Sequence, residues 1–191
     1  MDLQYSLVWE EENSLVRKLY RNVTNTTQLR KLIFSAKLPF TLLNPKLIVD
    51  QFQVSVAVTK ALFNVKEATM TTRSFPTEIL YSLSPSKNIS ESLNLFSAQD
   101  GDTDILIIGE KALWAKVGEQ ILGEEVNLDQ LSTFTDIPLV KKVYQVGEEE
   151  LASSSLLDAV VTRMACKEWT SSAVTMSSKP NANNNNKSTP S

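Results

Sequence analysis

The stretch that decides the fold is residues 42–53, which read Leu-Leu-Asn-Pro-Lys-Leu-Ile-Val-Asp-Gln-Phe-Gln. Pro45 disfavours a helical conformation in the residue before it, so we expect Leu42–Val49 to be extended. Asp50 is a good N-cap and predicts a helix over Phe52–Phe63. The side chains expected to face inward are Val56, Ala57 and Ala61. The same region is rich in valine, which leaves a strand as the competing interpretation.

Two further helices are predicted after a polar linker, and together they form a tight helix–turn–helix. Pro76 suits the first turn of the earlier helix, and Ser84 and Pro85 end it. Asn88 is the expected N-cap of the later helix. The apolar faces consist of Ile79, Leu80 and Leu83 in the earlier helix and of Ile89, Leu93 and Phe96 in the later one. This shape alone does not imply DNA binding.

Strand patterns lie on both sides of this helical region. Residues 14–23 read as a strand, and Leu3–Trp9 are expected to pair with it through a turn at Glu10–Asn13. Asp104–Gly109 is a short apolar run bounded by polar and turn residues, which predicts a buried central strand.

The remaining apolar periodicity is mostly helical. Asn25 is a plausible N-cap for a helix whose apolar stripe would be Leu29, Leu32, Ile33 and Ala36. Further helices are predicted at Lys111–Leu122, Leu128–Phe134 and Glu148–Lys167. Val140–Val146 fits either a strand or a short helix.

These elements predict a single α+β domain of two layers, in which several helices pack on a small, mainly antiparallel sheet. The domain is expected to span residues 1–168. Residues 169–191 are rich in serine, asparagine and threonine and include four consecutive asparagines. Because such a segment cannot bury enough apolar surface to order itself, it predicts a disordered C-terminal tail.

The composition excludes several classes of enzyme. The chain has 191 residues, a formal net charge of −3, no histidine and a single cysteine, Cys166. Ser-His-Asp and Cys-His nucleophile systems therefore cannot form within it, nor can an internal disulfide or a cysteine-rich zinc site. It contains no Walker loop and no Gly-x-Gly-x-x-Gly motif. We expect no catalytic residue, no cofactor and no metal site.

Carboxylates are the remaining candidates for catalysis. A carboxylate-dependent hydrolase would use Asp50 and Glu78, although the first is an expected helix cap and the second lies in the first turn of a helix. Asp100, Asp102 and Asp104 form a polar turn that would hold a hard cation only weakly.

Charge is unevenly distributed along the chain. The first 90 residues hold 11 Lys or Arg against 7 Asp or Glu, whereas the rest hold 8 against 15. An acidic protein of this kind can still present a local basic face. The N-terminal residues do not resemble a secretory signal, and no apolar run approaches the roughly 20 residues that span a bilayer. We therefore expect a reducing intracellular compartment and no membrane contact.

A family resemblance rests on a series of motifs in one order. They are Leu43–Gln53, Lys60-Ala61, Met70–Arg73, Thr77–Leu80, Leu83–Pro85 and Asn88–Glu91, and more weakly Val140–Tyr144 and Leu156–Ala159. In this order they resemble the PRPK-binding protein (TPRKB) family, the small accessory subunits of the KEOPS (EKC) complex. The resemblance covers roughly residues 3–168 and excludes the tail.

The resemblance implies a non-catalytic role. Subunits of this family bind the small atypical kinase/ATPase of the complex, contact the transferase subunit only indirectly, and contribute to tRNA capture. The complex makes threonylcarbamoyladenosine (t6A) next to the anticodon of tRNAs that read codons beginning with A. Localisation to the cytoplasm and the nucleus is implied in the same way.

Candidate tRNA-binding residues are Lys60, Arg73, Lys87 and Asn88. Lysine and arginine offer phosphate contacts, and Arg73 lies just before a helix N-terminus that can add to an anion site. Three of them have a structural alternative. Arg73 would tie its loop to Glu78 or to the C-terminus of a helix, Lys60 would be simply solvated, and Asn88 would act first as a helix cap.

Candidate residues for binding the kinase are Ile79, Leu83, Leu156 and Val160. An interface needs exposed apolar side chains at its centre. The alternative is that these residues face the core of their own domain, as apolar residues on amphipathic helices usually do.

A different function fits the same basic residues. A stand-alone RNA-binding domain, acting without a complex, would bind RNA tightly and with strong salt dependence. The acidic total charge argues against this alternative.

Overall fold

A computed structural model describes residues 14–169. Its sheet has four strands, β1 (Leu15–Arg21), β2 (Phe40–Leu43), β3 (Ile105–Glu110) and β4 (Glu124–Val126). Their spatial order is β2-β3-β1-β4, and every neighbouring pair is antiparallel. The predicted buried central strand is confirmed, because β3 lies between β1 and β2.

Helices account for most of the other elements in the described residues. They are α1 (Thr26–Ser35), α2 (Gln51–Lys66), α3 (Phe75–Leu83), α4 (Ile89–Phe96), α5 (Ala115–Gly118), α6 (Ile137–Tyr144), α7 (Glu148–Leu151) and α8 (Leu156–Cys166). Short 3₁₀ helices cover Pro45–Leu47, Lys111–Leu113 and Leu128–Thr133. No helix within residues 14–169 has both the length and the hydrophobicity needed to cross a membrane.

The predicted caps of α2 and α4 and the predicted first-turn proline of α3 mark where these helices begin. The Asp50 carboxylate accepts a hydrogen bond from Phe52 N at 2.7 Å, which satisfies a free donor of the first turn of α2. Asn88 caps α4 by accepting from Glu91 N at 3.1 Å, and Pro76 lies in the first turn of α3. The helical interpretation of the valine-rich stretch is therefore confirmed, and the strand interpretation is wrong.

Both faces of the sheet are covered. Successive side chains of a strand point to opposite faces. Leu106 and Ile108 of β3 enter a large core cluster with residues of α2, α3, α6 and α8, and Ile105 and Ile107 enter a smaller cluster beneath α1. The predicted α+β fold, with helices packed on a small antiparallel sheet, is confirmed. The smaller layer on the second face was not anticipated.

One glycine is required by the sheet itself. Gly109 of β3 pairs with Phe40 of β2. A Cβ atom at Gly109 would lie 2.0 Å from Cδ1 of the Phe40 ring, which covers the backbone at that point. Any larger residue would push that ring out of the smaller core cluster.

Three local predictions are wrong in whole or in part. The chain over Glu148–Lys167 is not one helix, because Ser155 caps a new helix by accepting from Asp158 N at 3.0 Å. Asn25 lies at the N-cap position of α1, as predicted, but its side chain does not bond the first turn and instead bonds Gln120 O and Leu122 N. Extended backbone was expected around Lys46, but Asn44 Oδ1 accepts from Lys46 N and a 3₁₀ turn forms.

Other predictions are partly met or concern residues that the structure does not describe. Val140–Val146 falls mainly in α6, which settles its ambiguity in favour of helix. The helical patterns at Lys111–Leu122 and Leu128–Phe134 form only short or 3₁₀ helices. The predicted strand Leu3–Trp9 and the tail beyond Trp169 lie outside the described residues.

Candidate functional site

Three lysines meet at the C-terminal end of α8. Lys60 comes from α2, Lys87 from the turn between α3 and α4, and Lys167 follows α8 directly. Lys60 Nζ lies 3.4 Å from Met164 O and 3.7 Å from Glu168 Oε1, and Lys87 Nζ donates to Glu168 O at 3.2 Å. We call Lys60, Lys87 and Lys167 the lysine cluster. The negative end of a helix dipole favours cations at this position.

Lys167 is the buried member of the cluster. Its side chain is 1% exposed, and its ammonium group donates to Tyr81 O and lies 3.1 Å from the centroid of the Tyr81 ring. Burial, together with repulsion from Lys60, lowers the pKa of Lys167 to about 7, against the opposing attraction of Glu168 and Glu78. The sequence showed this residue only as a basic helix end, because the contact with Tyr81 spans 86 residues of chain.

Arg73 lies in the loop before α3 and is exposed. Within residues 14–169 its guanidinium group makes no hydrogen bond or ion pair. The alternative role predicted for it, a tie to Glu78 or to the C-terminus of a helix, is wrong, since other groups saturate that carboxylate and Arg73 bonds no helix end within the described residues. Among residues 14–169, Arg73 is thus an unpaired cation on a defined loop.

Glu78 is fully buried in the first turn of α3. Its carboxylate accepts from Asn64 Nδ2 at 2.8 Å, from Thr72 N at 2.8 Å, from the Thr72 hydroxyl at 2.7 Å and from Thr71 N at 3.3 Å. Burial raises its pKa, but these hydrogen bonds outweigh burial, and the pKa ends below the ordinary value. The other carboxylate considered for hydrolysis, Asp50, caps α2.

The remaining predicted polar residues have local roles. Asn88 is exposed, and its side chain caps α4. Asp100 pairs with Arg30, and Asp102 accepts from Gln99 N at 2.7 Å. Within residues 14–169 no group of three or more potential ligands is close enough to hold a metal ion.

Most of the predicted kinase-binding residues are not at the surface. Ile79, Leu83 and Val160 are 0–1% exposed and belong to the large core cluster. These three predictions are corrected, because side chains that fill the protein's own core cannot contact a partner without unfolding it. Leu156 is partly buried at the edge of that cluster and stays a prediction.

Large apolar side chains are exposed on a different helix. Phe52 is 56% exposed and Phe63 is 48% exposed, and both belong to α2. They are 11 residues apart, about three helical turns, so they share one face with the partly buried Val56. We call Phe52, Val56 and Phe63 the α2 stripe. Val56 was predicted to lie on the inward face of this helix and no role was predicted for Phe52 or Phe63, so this stripe was not anticipated from the sequence.

Comparison with known proteins gives a consistent result. The family model described as "Kinase binding protein CGI-121" matches residues 20–168. The zebrafish (Danio rerio) protein named EKC/KEOPS complex subunit TPRKB is 35% identical over 173 residues, which cover 88% of this chain and 99% of that protein.

Fungal proteins are similar over shorter or more divergent alignments. The Kluyveromyces lactis EKC/KEOPS complex subunit CGI121 is 37% identical over 106 residues, which cover 56% of this chain and 66% of that protein. The Aspergillus fumigatus EKC/KEOPS complex subunit cgi121 is 26% identical over 166 residues, 77% of this chain and 88% of that protein. The resemblance seen in the motifs is thereby confirmed, and the chain belongs to the CGI-121 family of kinase-binding proteins, together with the TPRKB proteins.

Proposed function

We propose that this chain is a non-catalytic subunit of a KEOPS (EKC) complex, in which it binds the small atypical kinase/ATPase and helps capture tRNA for t6A formation. The observation that carries the proposal is the family match over residues 20–168, which includes nearly all of the described fold. The named relatives are EKC/KEOPS subunits, and the family is described by its binding of a kinase.

The α2 stripe supports the kinase-binding part of this proposal. Interfaces are centred on exposed aromatic and aliphatic side chains, and two phenylalanines about half exposed on one helix face supply such a centre. Leu156 lies on another helix and remains a candidate for the rim. Ile79, Leu83 and Val160 act indirectly, as the core on which α2 and α3 pack.

Lys60, Lys87 and Arg73 support the tRNA-binding part, whereas Lys167 is buried and cannot reach a phosphate. Lysine and arginine side chains supply the phosphate contacts that dominate affinity for nucleic acid. Lys60 and Lys87 come together at Glu168 although they are 27 residues apart, and Arg73 has no hydrogen-bond or ion-pair partner in the described part of the chain. The contribution we assign to Asn88 is secondary, because its side-chain oxygen already accepts from Glu91 N.

A charge on the α2 stripe tests the kinase-binding part. Phe63→Glu should abolish co-purification with the kinase subunit of the same organism, because a buried carboxylate at an interface centre has no partner. The fold should be retained, since Phe63 is already half exposed. Phe34→Glu is the matched control: Phe34 is 86% exposed on α1, which covers the opposite face of the sheet.

The two variants must behave differently. Normal kinase binding by a folded Phe63→Glu protein, or equal loss of binding in Phe34→Glu, would exclude the α2 stripe as the kinase-binding surface. If the unmutated chain binds no kinase but binds tRNA tightly with a steep salt dependence, the stand-alone RNA-binding domain becomes the better description.

A further inference from the structure

The loop that carries Arg73 is held by a buried carboxylate. Glu78 accepts four hydrogen bonds from donors on two segments, namely Asn64 on α2 and the loop residues Thr71 and Thr72. We call Glu78, Asn64, Thr71 and Thr72 the Glu78 clamp. It joins the side of one helix to the loop that enters the next.

A chain of hydroxyl groups extends the clamp to the far side of Arg73. Ser74 N donates to Thr77 Oγ1 at 3.2 Å, and Thr77 Oγ1 lies 3.0 Å from Thr72 Oγ1, which itself bonds Glu78. Both neighbours of Arg73 in the chain are therefore fixed by side-chain hydrogen bonds. Arg73 itself is exposed and makes no such bond within the described residues.

Starting α3 does not require this carboxylate. Ser74 and Thr77 already form a reciprocal capping box at the helix N-terminus. Three of the four donors to Glu78 instead belong to the preceding loop. A fully buried carboxylate is costly unless it is saturated with hydrogen bonds, and here the bonds that saturate it are those that define the shape of the loop.

We propose that Glu78 is a positioning residue for RNA binding, which fixes the loop of residues 70–74 so that Arg73 is presented to a phosphate of the tRNA. The inference rests on the proposed tRNA-binding function and adds a residue to it. Glu78 itself does not contact RNA, because it is buried and carries the same sign of charge as phosphate. It affects RNA binding by fixing the position of Arg73.

The salt dependence of tRNA affinity tests this inference. The full chain is titrated with a tRNA transcript at several salt concentrations, and the slope of log affinity against log salt counts the phosphate contacts. Arg73→Ala should lower affinity several-fold and reduce the slope by about one contact. Glu78→Gln should do the same, because an amide cannot accept all four hydrogen bonds. The double variant should be no weaker than Arg73→Ala alone.

Two further variants separate positioning from general stability. Thr72→Val keeps the shape of the side chain but removes the hydroxyl of the clamp, and it should also reduce the slope of log affinity against log salt. It replaces Glu78→Gln as the test if that variant does not fold. Asp50→Ala removes the cap of α2 and lowers the melting temperature, yet it should leave the slope unchanged.

The possible failures are distinguishable. If Arg73→Ala binds tRNA with unchanged affinity and slope, the proposed role of this loop in RNA binding is wrong. The positioning role proposed for Glu78 is then wrong as well. If Arg73→Ala is weakened while Thr72→Val and any folded Glu78→Gln protein bind like the unmutated chain, only the inference is wrong. Additive effects of Arg73→Ala and Glu78→Gln would also overturn it.

Discussion

At the scale of single residues, Lys167 shows how position changes the behaviour of a side chain. Lys60, Lys87 and Lys167 share the end of α8, but only Lys167 is fully buried. Its ammonium group lies against the Tyr81 ring and carbonyl and beside Lys60. In this environment the neutral amine is favoured at a pH where an ordinary lysine is charged.

This burial predicts a pH-dependent stability. The pKa of Lys167 falls from 10.5 to about 7 on folding, so between these values the unfolded chain binds more protons at this site. The free energy of unfolding should therefore rise between pH 7 and pH 9, by about 2 kcal/mol from this group. Lys167→Met should remove that rise. Urea titrations at the two pH values measure it.

The groups around Lys167 set the limits of this measurement. The titratable neighbours are Lys60, Glu168, Glu78 and Tyr81. Burial raises the pKa of Tyr81, which would lower stability at higher pH, so the window ends at pH 9. An equal rise in the Lys167→Met variant would show that another group causes it.

At the scale of elements, one hydrogen-bonded contact joins three helices. Gln53 of α2 donates to the Tyr144 hydroxyl at 2.9 Å, and that hydroxyl donates to Leu83 O at the end of α3 at 2.7 Å. Gln53 and Tyr144 are almost completely buried. Buried polar groups need partners, so this contact fixes α2, α3 and α6 relative to one another.

Removing the hydroxyl tests the importance of that contact. Tyr144→Phe should lower the free energy of unfolding by about 1–3 kcal/mol, because a buried donor and a buried acceptor lose their partner. Tyr20→Phe is the control, since the Tyr20 hydroxyl donates to the exposed Glu125 at 3.2 Å and should cost much less. Denaturant unfolding compares the two, and equal losses would contradict the structural role assigned to Tyr144.

Much of the secondary structure was predictable because its signals are local. Asp50 and Asn88 are caps whose acceptors lie two and three residues from the donors, and the apolar run of β3 is continuous in sequence. The helix predicted over Glu148–Lys167 includes Ser155 and therefore misses the break before α8. The capping role of Ser155 is also local, because its hydroxyl accepts from Asp158 N three residues further on.

The candidate site was harder to predict because its contacts are long-range. Amphipathic spacing placed Ile79 and Leu83 on one apolar helix face. It cannot distinguish a face that packs on the protein's own core from one that contacts a partner. The Glu78 clamp depends on Asn64 and on backbone donors of a loop, and the burial of Lys167 depends on Tyr81. Neither is visible in a periodic pattern.

At the scale of the whole molecule, α2 connects the two proposed functions. One part of its surface carries the α2 stripe, and another carries Lys60 and Asn64, which belong to the lysine cluster and the Glu78 clamp. One face of the sheet packs against this helix through the large core cluster. Both proposed binding surfaces are thus built on one side of the sheet, while α1 covers the other.

We propose that this chain is a subunit of a KEOPS complex and binds its kinase. The most direct test is affinity purification of the full chain, tagged, from its own cells, with quantitative mass spectrometry of the co-purified proteins. We expect a small atypical kinase and a t6A transferase to be recovered together, with the kinase in near-equal amount to the chain. Recovery of the chain with neither protein, under conditions where another KEOPS subunit recovers both, would contradict it.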